Sequence, residues 1–118
     1  MSFLNKYKEN RPWGSFVVLD EGNEFKVKRI SVKSGQKLSL QYHNHRREHW
    51  TVVKGKATVI LGEKTFKLEI DESIYIPLKE KHSLANEEEI QLEIIEVQIG
   101  VYLEEDDIIR LEDRYGRI

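Results

Sequence analysis

Hydrophobic and polar positions alternate along most of this chain in short runs rich in β-branched and aromatic residues. The runs are Ser15 to Leu19, Phe25 to Val32, Lys37 to Tyr42, Trp50 to Val53, Ala57 to Leu61, Lys64 to Leu68, Ser73 to Ile76 and Ile90 to Val101. A period of two places successive side chains on opposite faces of a strand, so each run predicts a half-buried β-strand. Gly22-Asn23, Ser34-Gly35, Lys54-Gly55 and Gly62-Glu63 supply turn residues between them. Lys54-Gly55-Lys56 reads as a hairpin. So many short strands in this length imply an all-β fold, a barrel or jelly roll. From Glu104 to Leu111 the pattern changes: acidic residues lead Ile108, Ile109 and Leu111, which predicts a short C-terminal helix with its acids at the positive end of the dipole.

Composition narrows the function classes. The chain has 118 residues, which predicts a single domain over 1–118 able to bury its own core. Nineteen basic and twenty-one acidic residues give a net charge of −2, and no basic run is long enough to follow a nucleic-acid backbone. Nucleic acid is therefore excluded as the expected partner. Cysteine is absent, no apolar stretch approaches the length of a bilayer, and no signal-peptide pattern opens the chain. The expectation is a cytoplasmic protein without membrane contact. Glu87, Glu88 and Glu89 read as a solvated turn.

The chemistry concentrates in residues 35–55, GQKLSLQYHNHRREHWTVVKG, where three histidines, a glutamine and a glutamate lie between two glycines. On a strand Gln41, His43 and His45 share one face. Imidazole nitrogens with carboxylate or amide oxygens suit zinc, manganese, iron, cobalt or nickel. A single such histidine is more often a surface or hydrogen-bonded core residue. Several polar groups directed into an apolar barrel, however, are costly unless something such as a divalent metal satisfies them.

A second segment, 71–86, places Pro77 ahead of His82 and Asn86. Together the two segments resemble the cupin superfamily. Gly35, Gln41, His43, Glu48 and Gly55 match the spacing of its first motif, and Pro77, His82 and Asn86 match its second. Asp71 and Lys79 stand where that family usually has glycine. A competing alignment makes His43 and His45 the ligand pair, but then only two residues separate His45 from Glu48, one short of the family minimum. The segments RPWGSF, LSLQYHNHRREHWTVVKG and EVQIGVYLEEDDIIRLEDRYGR narrow the resemblance, over Arg11 to Arg117, to the type II phosphomannose isomerases. Those are usually the C-terminal cupin domain of a bifunctional mannose-1-phosphate guanylyltransferase. No Gly-rich phosphate loop precedes the motifs here, so nucleotidyl transfer is not expected of this chain.

The resemblance implies a cupin jelly roll and a metal-dependent mannose-6-phosphate isomerase, interconverting mannose 6-phosphate and fructose 6-phosphate through an enediol. It implies a divalent metal held by Gln41, His43, Glu48 and His82, with zinc first and manganese, cobalt, nickel or iron as alternatives. In the related type I isomerases the ligands are likewise Gln, His, Glu and His. A general base must reach the two reacting carbons, and His45, His49 and Glu96 are the candidates. Glu96 shares a strand face with Gln98, although Ile95, Val97 and Ile99 form an alternative inward row. Arg46 and Arg110 are the candidates to hold the phosphate of a small sugar phosphate. Trp13 and Trp50 read as packing residues. A homodimer is expected, with the segment MSFLNKYKENRPWG as an exchanged strand. Two other readings stay open: a non-catalytic sugar-binding cupin and a metal-dependent dioxygenase.

Overall fold

The computed structural model describes residues 8–118. Eleven strands follow in order: β1 (Lys8–Arg11), β2 (Gly14–Glu21), β3 (Phe25–Val32), β4 (Leu40–His43), β5 (Arg46–Lys54), β6 (Ala57–Leu61), β7 (Lys64–Leu68), β8 (Ser73–Ile76), β9 (His82–Ala85), β10 (Leu92–Gly100) and β11 (Ile108–Glu112). They form two antiparallel sheets, one of six strands in the order β1-β2-β3-β10-β5-β8 and one of five in the order β11-β4-β9-β6-β7. This is the expected all-β jelly roll. The inner faces meet over Val32, Val59, Leu84, Leu92 and Ile94, all fully buried.

Alternation decides what each strand contributes to the interior, and it does so with a gradient. On β3 the inward positions run Val32, Ile30, Lys28; on β10, Leu92, Ile94, Glu96, Gln98; on β5, Val52, Trp50, Glu48, Arg46. Register aligns the gradients, because Val32 lies opposite Leu92, Ile30 opposite Ile94, Lys28 opposite Glu96, and Gln98 opposite Glu48. One end of the barrel is therefore a hydrocarbon core, and the other end is lined with charge. The apolar end supplies the folding free energy that lets the polar end be built at all.

Three local expectations change. Lys54-Gly55-Lys56 does not close a hairpin: β5 and β6 belong to different sheets, and the chain turns a corner there. Gly55 has φ +83°, and a Cβ on it would lie 3.0 Å from the Gln91 carbonyl oxygen, so the corner needs both left-handed backbone and close approach. The C-terminal helix is reduced to a three-residue 3-10 turn, Glu105–Asp107, and the chain then continues as β11 against β4. The adjacent Ile108 and Ile109 favour the pleated form, and the free edge of β4 takes up their backbone groups. Third, the exchanged strand proposed for MSFLNKYKENRPWG falls partly on residues 1–7, which lie outside the described residues. Lys8–Arg11 pair with β2 of the same chain.

The two positions that depart from the cupin glycine pattern behave as glycine would. Asp71 has φ +80° and Lys79 has φ +65°. The second turn is tied to the first motif, since the Lys79 amide donates to the His43 carbonyl at 2.8 Å. A lysine in the left-handed region is strained by about 1–2 kcal/mol, against a smaller entropic gain in the unfolded chain. Lys79→Gly is accordingly expected to stabilise the protein by about 0.5–1 kcal/mol in urea unfolding. A loss of stability would show that the lysine side chain itself holds this turn.

Candidate metal centre

β4, β5 and β9 bring four side chains to the polar end of the barrel. His43 is buried, with Nε2 3.1 Å from Glu48 Oε2, and its ring centroid is 4.9 Å from that of His82. Ligating atoms of His43, Glu48 and His82 all lie within 4.8 Å of one another. Gln41 lies directly across from His82 in the sheet and faces the same cavity. That cavity, counting its open mouth, holds about 520 Å³ of empty space.

Hydrogen bonds orient the two rings alike. His82 Nδ1 is 2.9 Å from the Glu80 carbonyl oxygen and His43 Nδ1 is 3.3 Å from that of Asp107. A carbonyl can only accept, so each Nδ1 carries the proton and each Nε2 offers its lone pair inward, the tautomer that a metal ligand requires. Burial holds the His82 imidazole below its ordinary pKa, so it is neutral near neutral pH. Burial pushes the Glu48 carboxyl up, but Arg46 and His43 overcome this and keep it well below the ordinary value. Arg46 Nε donates to Glu48 Oε2 at 2.8 Å, and Trp50 Nε1 donates to Oε1 at 2.8 Å.

This donor set fits a divalent cation. Gln41 Oε1 is buried without a hydrogen-bond partner among the described residues, an arrangement that costs about 1–3 kcal/mol unless a ligand relieves it. The lone pair of His43 Nε2 also faces a carboxylate oxygen across 3.1 Å, which is repulsive unless a proton or cation lies nearby. Two imidazole nitrogens, a carboxylate and an amide oxygen form a mixed set of the kind divalent transition metals accept.

The three candidate bases separate clearly. Glu96 points inward, buried, while Ile95, Val97 and Ile99 form the outer row. Gln98 Nε2 donates to its Oε1 at 2.8 Å, and Trp50 Nε1 lies 3.2 Å from its Oε2. Burial, then the negative Glu48, push its pKa up to about 8. His49 must be corrected: it is exposed on the outer face of β5, its ring centroid 4.9 Å from that of Tyr75, because it lies one position out of phase with Glu48. His45 is also corrected. Its ring is half-exposed outside the cavity, with Nδ1 2.9 Å from Asp107 Oδ1. That bond turns it away from the Gln41 side, so it is neither the fourth ligand nor a base within reach.

The raised Glu96 pKa has a measurable consequence in the metal-free protein. Between the ordinary value of 4.5 and about 8 the folded chain keeps a proton that the unfolded chain has released. Stability attributable to Glu96 is thus present at low pH and is lost as pH rises through about 8. With chelator present, the stability of the parent relative to Glu96→Gln is expected to fall from pH 5 to about pH 8 and to level off above it. A flat difference would place an ionised Glu96 in the folded state.

Both predicted anion-binding residues, Arg46 and Arg110, line the cavity. Arg46 is buried, committed through Nε to Glu48, and its Nη1 has no hydrogen-bond partner among the described residues. Several lining groups escaped the sequence reading. Lys28 donates to Glu105 at 2.8 Å, Glu105 also approaches Arg46 at 3.9 Å, and Trp50 bridges both buried glutamates as well as packing. Asp107 is the other omission. Its carboxylate accepts the Asn44 and His45 amides at 3.1 and 3.0 Å, fixing the loop that carries His43. A charge at an inward position of an otherwise apolar strand, as at Lys28, was the readable signal. Asp107 had none, since its partners are sixty residues away.

Fold and site together define a cupin, a double-stranded β-helix protein with a His/Glu cluster suited to a metal. The profile of the family described as "Mannose-6-phosphate isomerase C-terminal" matches residues 3–113, and the chain belongs to that family. It is 59% identical over 107 residues to the alginate biosynthesis protein AlgA of Pseudomonas aeruginosa, covering 91% of this chain and 22% of that protein. It is 53% identical over 108 residues to the mannose-1-phosphate guanylyltransferase ManC of Salmonella typhimurium, covering 92% of this chain and 22% of the relative. A Klebsiella pneumoniae protein with a double-stranded β-helix domain superposes with TM-score 0.77 at 18% identity, covering 96% of each chain, which establishes the fold alone.

These relatives correct the functional expectation. The chain spans only about a fifth of the curated proteins it matches, and their names refer to guanylyl transfer or alginate biosynthesis. Its reading as a mannose-6-phosphate isomerase in its own right is therefore not sustained. The chain corresponds to one part of larger biosynthetic enzymes.

Proposed function

We propose that this chain is one folding unit, a metal-dependent catalytic module of a larger enzyme, which moves a proton between adjacent carbons of a phosphorylated sugar in the manner of an aldose–ketose isomerase. The observation that carries the reading is the joint placement of the His43, Glu48, His82 and Gln41 donors and the buried Glu96 in one cavity. Zinc is the first choice for this mixed nitrogen and oxygen set, with manganese, cobalt, nickel and iron following. When bound, the ion would supply Lewis-acid polarisation of the substrate carbonyl.

The chain's own residues would do the rest. Gln98 and Trp50 hold the Glu96 carboxyl at both oxygens, so its position is set before substrate arrives. With a pKa raised toward neutrality, Glu96 suits a proton that must be both taken and returned. In its ionised form it would accept the proton from carbon 2 and deliver it to carbon 1. Arg46 and Arg110 supply positive charge for an anionic substrate. The proposal places the reaction in the cytoplasm, where a charged phosphate ester made there is retained because it does not cross a bilayer unaided. Association as a homodimer is part of the proposal, through the sheet edges at β1 or β8.

The test is conversion of phosphorylated aldoses to ketoses in deuterated water by metal-loaded protein. Solvent deuterium is expected at the reacting carbon, and Glu96→Gln is expected to lower turnover by roughly 10²–10⁴-fold while leaving metal affinity within a few-fold. Absence of turnover with folded, metal-loaded protein on every phosphorylated aldose would overturn the assignment. Undiminished turnover in Glu96→Gln would remove Glu96 from the mechanism.

A further inference from the structure

The proposed chemistry leaves one step without a residue. A phosphorylated aldose long enough to close on itself exists in water mostly as a cyclic hemiacetal, in which carbon 1 is not a carbonyl and the hydrogen on carbon 2 is not acidic. Opening that ring requires one proton to leave the hydroxyl on carbon 1 and another to reach the ring oxygen.

Two groups in the cavity are able to do this and have no other task. Of the ionisable side chains that line it, His43, Glu48 and His82 are the metal-suited donors and Glu96 serves the carbons. The arginines keep their protons at any ordinary pH. Among the described residues, Lys28 and Glu105 remain.

Their placement suits a joint role. Lys28 lies directly opposite Glu96 on β10, so the two side chains project from the same face of the sheet. It is buried, with Nζ 2.8 Å from Glu105 Oε2 and 4.0 Å from the centroid of the Phe16 ring. Glu105 arrives from a different element, the 3-10 turn Glu105–Asp107, and its side chain is 39% exposed. An incoming molecule therefore meets the carboxylate first and the ammonium behind it. The turn itself is pinned, because Asp107 accepts the Asn44 and His45 amides. A buried ion pair stabilises a fold no better than an apolar pair of the same volume, so folding does not explain why this one lines the cavity.

We infer that Lys28 and Glu105 form an acid–base pair that opens and closes the hemiacetal ring of the sugar, giving the cavity an anomer-interconverting activity besides the proposed proton shift. This rests on the proposed function for the class of sugar, but the ring chemistry does not need the proton shift between carbons. In the opening direction Glu105 takes the proton from the hydroxyl on carbon 1, and the electrons of that O–H bond form the carbonyl π bond. The bond from carbon 1 to the ring oxygen breaks, its electron pair stays on that oxygen, and Lys28 protonates it. Glu105 is then a neutral acid and Lys28 a neutral amine. Across their 2.8 Å contact the proton passes back directly, restoring carboxylate and ammonium without a further reactant. Closure is the reverse, and after rotation about the bond between carbons 1 and 2 it yields the other anomer. The open aldehyde forms on the face that Glu96 shares.

A 2-deoxy aldose phosphate tests this, since it lacks the hydroxyl on carbon 2 and cannot become a ketose. Exchange between its anomers, followed by two-dimensional exchange NMR with zinc-loaded protein, is expected to run roughly tenfold or more faster than in buffer with the same zinc. Lys28→Met and Glu105→Gln are each expected to abolish the acceleration, and Arg29→Gln, exposed on the outer side of the sheet, is expected to keep it. Lys28→Arg keeps the charge and a partner for Glu105 but gives up no proton, so it is expected to fail as well. If Lys28→Met does not fold, Glu105→Gln decides, because its amide oxygen still accepts from the ammonium. No acceleration by the parent, or full acceleration in Lys28→Arg or Glu105→Gln, would overturn the pair. Accelerated exchange by a protein that isomerises no phosphorylated aldose would leave the pair standing and remove the proposed proton shift. Isomerisation without accelerated anomer exchange would do the reverse.

Discussion

Glu48→Ala is expected to lower the stability of the metal-free chain by about 3–5 kcal/mol, a large share of what a domain of this size possesses. The reason lies in the partners it leaves behind. Arg46 is buried and donates Nε to Glu48 at 2.8 Å, while its other carboxylate neighbour, Glu105, is 3.9 Å away. Removing the glutamate strands a guanidinium in the interior, and Trp50 Nε1 loses its shorter bond, keeping only Glu96 at 3.2 Å. Urea unfolding measures the loss. Replacing both partners, Glu48→Ala with Arg46→Met, is expected to recover most of it, because an apolar pair needs no counter-charge. The double variant should still bind no metal. A single-variant loss below about 1 kcal/mol would mean that Glu105 takes over the guanidinium and that Glu48 is not the keystone of this cluster.

Metal loading should have an effect of similar size and opposite sign. A ligand that binds only the folded state stabilises it by about 2.7 kcal/mol at one hundred times its dissociation constant. Adding zinc to chelator-stripped protein is therefore expected to raise the denaturation midpoint clearly. His43→Ala and His82→Ala each delete a neutral imidazole whose Nε2 faces the cluster, and in both the zinc-dependent rise is expected to vanish. His45→Ala, which removes a half-exposed ring outside the cavity, is expected to keep it. Isothermal calorimetry and differential scanning of the four proteins, with and without zinc, decide the matter. A full response in His82→Ala would show that the ion sits elsewhere. Loss of response in His45→Ala would restore the competing alignment of the ligand pair.

Much of this architecture was legible along the chain. Period-two alternation located the strands because side-chain direction on a strand is a local property: Phe25–Val32, Ala57–Leu61, Lys64–Leu68 and Ser73–Ile76 run as the pattern predicts. The same alternation placed Gln41 and His43 on one face, and motif spacing singled out Glu48 and His82. These residues do converge. Asp71 and Lys79, which depart from the glycine pattern, nonetheless adopt the backbone that glycine would. Motif spacing therefore carried the turn even where the residue type did not.

Pairing in space could not be read there. Gly55 looked like a hairpin because its flanks alternate, but the neighbouring strands join opposite sheets. Whether Glu96 or Ile95 faced inward was open on the sequence, since either row is a valid strand face; pairing with β3 and β5 settled it in favour of Glu96. His49 and Glu48 are adjacent in sequence and on opposite sides of the sheet. His45 shares the periodicity of the ligands but leaves their row because Asp107, far along the chain, captures it. The tail looked helical from its acids and became a strand because β4 had a free edge to pair with, and that pairing carried Arg110 into the cavity.

The sequence by itself thus determined the elements, the alternation that sorts each strand into two faces, and the identity of the metal-suited residues, because all of these depend on neighbours a few positions apart. Tertiary structure alone decided which face became the interior and which acid stood buried beside the cluster. Those outcomes depend on hydrogen bonds and charges between segments separated by most of the chain, and nothing in a local pattern encodes them.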